Sequence, residues 1–240
     1  MYVASPDDDP VPDHWPFSLA PVRQIVGQGL AFARPITVLV GENGSGKSTI
    51  VEAIAEAYGV DVRGGHAGRM YASSMARSPL GERLRLVATR QGARMKGRRA
   101  KGFFLRAETA LGVFEYMSDM GVAGYGEGDR HLGRVSHGEG FLQVFQGRFT
   151  EPGLYILDEP EAALSFQSCL SLVHLLTDLA KEGSQVICAT HSPLVAAVPR
   201  AQILELDESG LRPVIWKELA LVDHWRRYLA DPGRYLRHLM

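Results

Sequence analysis

Short apolar runs alternate with amphipathic segments along most of the chain. Four runs bounded by turn-forming residues predict buried β-strands at residues 35–40, 154–157, 186–189 and 203–206. Helical spacing of apolar residues predicts one helix from Lys47 to Tyr58 and another that includes Phe166, Leu170 and Leu176. Because strands alternate with helices, we expect an α/β fold with a mainly parallel sheet.

The middle of the chain has a different composition. Between Gly59 and Gly102 apolar residues become scarce while Gly, Arg and Ser increase, which predicts loops. Two strands, Leu84–Thr89 and Gly102–Arg106, are expected around the connection from Gly92 to Lys101, and a helix is expected over Glu108–Met120. We therefore divide a single domain, residues 1–240, into a core at about 15–60 and 150–216, a basic lobe of strands and helices at about 61–149, and a C-terminal helical tail at about 217–240.

Composition excludes several classes of protein. Hydrophobic residues make up 45% of the 240 residues and charged residues 22%, which excludes a disordered or fibrous chain. The two cysteines, Cys169 and Cys188, lie in apolar runs and predict buried thiols, not a disulfide framework or a zinc cluster. No apolar run reaches the length of about 18 residues that a membrane span needs, and the N-terminus is acidic where a signal peptide is basic. We expect a soluble, cytoplasmic protein without membrane insertion.

Charge is unevenly distributed. From Val62 to Ala107 there are twelve basic residues and one acidic residue, so this segment carries +11 and the remainder −12. The densest part, at residues 90–106, contains Arg90, Arg94, Lys96, Arg98, Arg99, Lys101 and Arg106. Three interpretations stay open: a solvated loop, a surface that binds nucleic-acid phosphates, or a surface that docks on acidic protein.

A glycine-rich loop follows the first buried strand. Residues 41–48 read GENGSGKS and match the phosphate-binding pattern G-x-x-x-x-G-K-[ST]. The glycines let backbone N–H groups converge on phosphates, Lys47 reaches the terminal phosphates, and the Ser48 hydroxyl ligates Mg²⁺. The predicted nucleotide-binding residues are Glu42, Asn43, Gly44, Ser45, Gly46, Lys47, Ser48 and Thr49.

Two carboxylates end the second buried strand. Asp158 would be costly to bury alone, and a Mg²⁺ ion shared with Ser48 supplies a partner. Glu159 follows directly, where it can orient and deprotonate an attacking water. The sequence therefore predicts nucleotide hydrolysis with Glu159 as the base.

These residues resemble a known family. Residues 157–160 (LDEP) are similar to the Walker B strand of ATP-binding-cassette (ABC) ATPases; Ser136 lies 22 residues before Asp158, and His191 lies 33 residues after it. Those are the places of that family's signature loop and switch histidine. Four further segments resemble the small stand-alone predicted ATPases near the RecF and overcoming-lysogenisation groups: DEPEAALS (158–165), ATHSP (189–193), GFFLRAE (102–108) and PGRYLRHL (232–239).

The resemblance, which covers roughly residues 15–240, implies a P-loop NTPase fold of the ABC ATPase type, with a mainly parallel sheet core, an antiparallel β portion and a helical lobe. It also implies a head-to-tail homodimer around ATP and Mg²⁺. Ser136 and Gly138 would bind the γ-phosphate held by the other subunit, and His191 would contact the same phosphate. The loop from Ala162 to Ser165 would face the dimer partner. The signature departs from the transporter form, because His137 and Glu139 replace its first Gly and its Gln.

Two assignments within the resemblance have competing candidates. The residue that contacts Mg²⁺ in the manner of the family's glutamine loop is Gln91 or Glu108, and we favour Glu108 because it follows the more apolar strand. No aromatic residue is assigned to the adenine; Trp15, Phe17 and Phe32 are candidates, and residues of this kind more often belong to the core.

We expect an ATPase that acts as a switch on a partner which the sequence does not identify. One rival interpretation is the nucleotide-binding subunit of an ABC transporter. Another is a DNA-associated repair or defence ATPase that binds through residues 90–106.

Overall fold

The structure, a computed structural model, describes residues 1–5, 10–60, 65–66, 77–87, 102–106 and 152–237. The strands are β1 (Tyr2–Ala4), β2 (Leu30–Ala31), β3 (Ile36–Gly41), β4 (Gly65–His66), β5 (Arg85–Val87), β6 (Gly102–Arg106), β7 (Leu154–Asp158), β8 (Gln185–Thr190), β9 (Gln202–Asp207) and β10 (Gly210–Val214). The helices are α1 (Ala20–Gln28), α2 (Lys47–Tyr58), α3 (Pro79–Arg83), α4 (Phe166–Lys181), α5 (Ala220–Ala230) and α6 (Pro232–Leu236).

The main sheet of the described residues contains seven strands in the order β10-β9-β3-β8-β7-β6-β4. Its five central strands, from β9 to β6, pair in parallel, whereas β10 and β4 pair antiparallel at the two edges. A second, antiparallel sheet has the order β2-β1-β5. The expected mainly parallel sheet with an antiparallel portion is confirmed.

The core lies on both faces of the main sheet, because successive strand residues point to opposite faces. In β3, Val38 and Val40 pack in the cluster that includes α4, whereas Leu39 packs in the cluster that includes α1 and α2. Cys169 and Cys188 are buried free thiols in the α4 cluster, as predicted, and burial raises the pKa of both. Helices on both faces explain why the central strands are apolar almost throughout.

The predicted strands around the basic connection do not pair with each other. β5 pairs with β1 in the small sheet, whereas β6 pairs with β7 in the main sheet. This prediction was incomplete because the partner of β5 is the N-terminal segment, about 80 residues away, which shows no strand signal of its own. The helix expected over Glu108–Met120 and the rest of the basic lobe from residue 107 to 149 lie outside the described residues, and the division into core, lobe and tail stays a prediction.

Candidate functional site

The glycine-rich loop of residues 41–48, here called the phosphate loop, connects the end of β3 to the start of α2. Gly44 and Gly46 adopt positive φ values of 81° and 94°, which residues with a side chain rarely adopt. A side chain at Gly41 would place its Cβ 2.4 Å from the carbonyl oxygen of Leu206 in the neighbouring strand β9. The local backbone therefore requires glycine at these positions, as the sequence pattern indicates.

Lys47 begins α2 and is buried beneath the loop, with 4% of its surface exposed. Its Nζ donates to the carbonyl oxygens of Gly41 at 2.9 Å and Glu42 at 3.0 Å. Burial lowers the pKa of Lys47, while the nearby carboxylates of Glu159 and Asp158 oppose that shift. An ammonium group has three N–H donors, so a phosphate oxygen can accept the third.

The structure brings Ser48 and Asp158 together from elements 110 residues apart in sequence. The Ser48 hydroxyl donates to Asp158 Oδ1 at 3.0 Å, and Asp158 is 2% exposed. Desolvation raises the pKa of Asp158, whereas Arg106 and the Ser48 hydrogen bond act in the opposite direction. A buried carboxylate beside a hydroxyl at a phosphate loop can take part in binding a Mg²⁺ ion.

Arg106 is the second partner of Asp158. It lies opposite Asp158 in the register of β6 and β7, and its Nε contacts Asp158 Oδ2 at 3.2 Å while its Nη2 contacts Glu52 Oε1 at 2.6 Å. Sequence analysis placed Arg106 in the basic segment, but its guanidinium neutralises two carboxylates inside the site. Arg106 is therefore paired within the site although its side chain is 32% exposed. The other six residues of that dense cluster lie outside the described residues, and the predicted basic surface stays a prediction.

Glu159 follows Asp158 in a left-handed backbone conformation, with φ 49° and ψ 48°. Non-glycine residues rarely adopt this conformation, and such strain often accompanies a functional role. The Glu159 carboxylate lies 3.1 Å from His191 Nε2, close enough for an ion pair but misaligned for a hydrogen bond. The side chains of Glu159 and His191 are 36% and 32% exposed, although the Nε2 atom of His191 is itself buried.

A pocket of about 190 Å³ lies over the phosphate loop. Its lining comprises Trp15, Leu19, Glu159 and the loop residues Asn43, Gly44, Gly46, Lys47, Ser48 and Thr49. Among the aromatic candidates, Phe17 and Phe32 are 3% and 5% exposed and pack in the core, whereas Trp15 is 64% exposed. Trp15 is therefore the candidate that can meet a ligand.

The donor set of the site fits Mg²⁺ bound together with phosphates. Ser45 Oγ is buried without a hydrogen-bond partner in the described part of the chain, beside the loop where an anion would bind. In the same part of the chain, His, Cys, Asp and Glu form no cluster of three that could hold a metal ion. Mg²⁺ commonly uses one or two protein oxygens and completes its coordination with phosphates and water. Ser48 and Asp158 suit that role.

Several predicted site residues fall outside the described residues. These are Ser136 and Gly138 of the signature and both candidates for the glutamine-loop position, Gln91 and Glu108. Their roles stay predictions. Conversely, sequence analysis missed Glu52, because its pairing with Arg106 joins α2 to a strand that lies 50 residues later.

No helix within the described residues is both long and apolar enough to cross a membrane.

Family models and known proteins are similar to parts of this chain. Residues 19–66 match a family model described as "AAA domain", and residues 141–197 match one described as "AAA domain, putative AbiEii toxin, Type IV TA system". The hemin import ATP-binding protein HmuV of Rhodopseudomonas palustris is 27% identical over 197 residues, covering 73% of this chain and 72% of that protein.

Other relatives match shorter stretches. The macrolide export ATP-binding/permease protein MacB of Marinobacter nauticus is 46% identical over 50 residues, 21% of this chain and 8% of that protein. The ABC transporter G family member STR2 of Medicago truncatula is 38% identical over 78 residues, 32% of this chain and 10% of that protein. The chain thus spans about a tenth of the length of these two relatives.

The solved structures to which this chain is similar include the SMC head domain from Thermotoga maritima. It has a TM-score of 0.45 and 16% identity, and the alignment covers 78% of this chain and 93% of that one.

Proposed function

We propose that this chain is an ABC-type ATPase, which binds ATP and hydrolyses it to ADP and phosphate with Mg²⁺ as cofactor. The observation that carries the proposal is the convergence of Lys47, Ser48, Asp158 and Glu159 at the carboxyl ends of β3 and β7. The hydrogen bond between Ser48 and Asp158 joins the phosphate loop to the carboxylate strand at 3.0 Å. Glu159, one residue further on, lines the pocket over the same loop.

Each of these residues has a distinct task in the proposed reaction. The loop N–H groups and Lys47 bind the β- and γ-phosphates, and Ser48 and Asp158 hold Mg²⁺, which when bound neutralises phosphate charge. Glu159 accepts a proton from the attacking water, and the water oxygen displaces ADP from the γ-phosphorus. His191, in contact with Glu159, would report the presence of the γ-phosphate.

Trp15 is the proposed contact of the adenine base. Its exposed ring lies at the pocket over the phosphate loop, and an indole face can stack on a nucleobase. Stacking accepts any base, so it contributes affinity more than selectivity for adenine.

The proposed switch is a homodimer that closes on ATP and separates after hydrolysis. Its support is the family resemblance of Ser136 and Gly138, together with exposed residues after β7: Ala162, Ser165 and Phe166, the last 67% exposed. Subunit mixing tests it. Lys47→Ala and Ser136→Arg subunits should each be inactive alone, and their mixture should recover turnover in dimers with one intact site. Full activity of Ser136→Arg alone would reject the shared site.

The biological role has two candidates that one assay separates. Similarity to the hemin import ATP-binding protein HmuV favours the nucleotide-binding subunit of a transporter, whereas the +11 segment favours a DNA-associated ATPase. Turnover of the purified protein should be measured with and without duplex DNA at two salt concentrations. Stimulation by DNA that disappears at high salt would favour the second candidate; indifference to DNA would favour the first.

A further inference from the structure

Glu161 joins the turn after β7 to the end of β8. It lies in the single 3₁₀ turn Pro160–Ala163 that follows Glu159. Its Oε1 accepts hydrogen bonds from the Thr190 hydroxyl and from the His191 backbone N–H, both at 2.6 Å. One carboxylate oxygen therefore fixes Thr190, the last residue of β8, and His191, which follows it.

The same contacts continue into the loop beyond His191. The Thr190 hydroxyl accepts from the Ser192 backbone N–H at 2.9 Å, and the Ser192 hydroxyl accepts from the Val195 N–H at 3.3 Å. Thr190 is fully buried, so water cannot replace these bonds easily. The backbone around His191 therefore depends on Glu161 for its position.

His191 is held at two points by two neighbouring glutamates. Glu161 accepts from its backbone N–H, while Glu159 lies 3.1 Å from its ring Nε2. A movement of the turn that carries Glu161 would shift the ring of His191 relative to Glu159. This arrangement connects the loop expected to face the dimer partner with the residues expected at the γ-phosphate.

The second carboxylate oxygen of Glu161 carries an energetic cost. Oε2 is buried and has no hydrogen-bond partner among the residues that the structure describes. A buried polar atom without a partner destabilises the fold, because it loses its hydrogen bonds to water and gains none in return. Packing alone does not require such a group, which favours a role in positioning.

We propose that Glu161 is a positioning residue for ATP hydrolysis, which sets the backbone of His191 and thereby the contact between His191 and Glu159. The inference rests on the proposed function, since it assigns Glu161 a part in the same reaction. Among the described residues Glu161 forms no hydrogen bond with the phosphate loop or with Asp158, and its charge acts on Lys47 only as one of several nearby carboxylates. Its direct contact with the site is therefore through His191.

The kinetic test compares Glu161→Ala with Glu161→Gln, and uses Glu182→Ala, an exposed glutamate at the end of α4, as the control. The alanine variant should lose about tenfold or more in kcat with ATP affinity within about twofold of wild type. Glutamine keeps an acceptor oxygen and should retain most of the turnover. A loss of ATP affinity with unchanged kcat would overturn the proposal.

A double-mutant cycle with His191→Ala identifies the route of the effect. If Glu161 acts through His191, adding Glu161→Ala to His191→Ala should change turnover by less than about twofold. An undiminished tenfold loss in that background would place the action of Glu161 elsewhere and refute the inference.

Hydrogen exchange of the His191 amide gives a readout that does not require activity. In the nucleotide-free protein, Glu161→Ala should speed exchange of this amide by about tenfold or more, and Glu182→Ala should not. If Glu161→Ala fails to fold, Thr190→Val serves instead, because it removes one of the two hydrogen-bond donors to Glu161. It should also speed exchange of the His191 amide. Unchanged exchange would refute the inference, whereas a wild-type protein without ATPase activity would refute the proposed function itself.

Discussion

Replacing Arg106 by Gln tests the charge balance of the site. Arg106 is the cation between Asp158 and Glu52, with contacts of 3.2 Å and 2.6 Å. Without it, two carboxylates would share a largely buried space and repel each other. We therefore expect the nucleotide-free protein to become less stable.

The magnitude follows from the burial of the three groups. Breaking a fully buried ion pair costs roughly 3–5 kcal/mol, because an unpaired charge is left behind. The side chain of Asp158 is 3% exposed, but those of Arg106 and Glu52 are 32% and 27% exposed, so water replaces part of the lost interaction. We expect a loss of about 2 kcal/mol in the free energy of unfolding at neutral pH.

The loss should depend on pH with a definite sign. Desolvation raises the folded-state pKa of Asp158 and of Glu52, and Arg106 acts to lower both. A carboxyl with a raised folded pKa contributes stability at low pH, and this contribution disappears as pH rises through that pKa. Removing Arg106 raises both folded-state pKa values further. The difference in free energy of unfolding between wild type and variant should therefore shrink from pH 7.5 toward about 4.5.

Urea denaturation at the two pH values measures this difference. Arg23→Gln is the control, since Arg23 and its partner Asp13 are both largely exposed and their pair should contribute less than about 1 kcal/mol. Equal losses for the two variants, or a difference that grows toward acid pH, would refute the reasoning.

Three further predictions concern the ligands. Lys47→Ala should weaken ATP binding by roughly tenfold to a hundredfold, because a charge-assisted phosphate contact is lost; an unchanged dissociation constant in a binding titration would contradict this. Trp15→Ala should weaken ATP binding by about 1–3 kcal/mol, whereas Trp225→Ala, another exposed tryptophan, should not. If residues 90–101 bind duplex DNA, the logarithm of the DNA-binding constant should fall linearly with the logarithm of the salt concentration. Replacing five basic residues by Ser should make that slope less negative by several multiples of roughly 0.9. These are Arg94, Lys96, Arg98, Arg99 and Lys101.

Local patterns predicted the centre of the fold well. The spacing of apolar residues predicted a helix over Lys47–Tyr58, and the structure has α2 over the same residues. The strands β3, β7, β8 and β9 lie within one or two residues of their predicted positions. Both signals are local: buried strands are short apolar runs, and the glycine loop marks the boundary between β3 and α2.

The sequence did not reveal contacts that depend on distant pairing. The salt bridge of Arg106 requires that β6 lie beside β7, and the basic residues around Arg106 favoured a surface role. Similarly, Glu161 follows Glu159 by two residues, but its hydrogen bonds to Thr190 and His191 depend on the turn geometry. Neither contact has a periodic signature in the chain.

The most direct test of the account is the effect of Glu159→Gln on ATP binding and on phosphate release, measured on the same preparation. We predict ATP affinity within about twofold of wild type, because Lys47 and Ser48 are unchanged, and a fall in kcat of roughly a hundredfold or more, because the base is lost. The ATP-bound dimer should then accumulate. Phosphate release at the wild-type rate would contradict the role of Glu159 and with it the proposed mechanism.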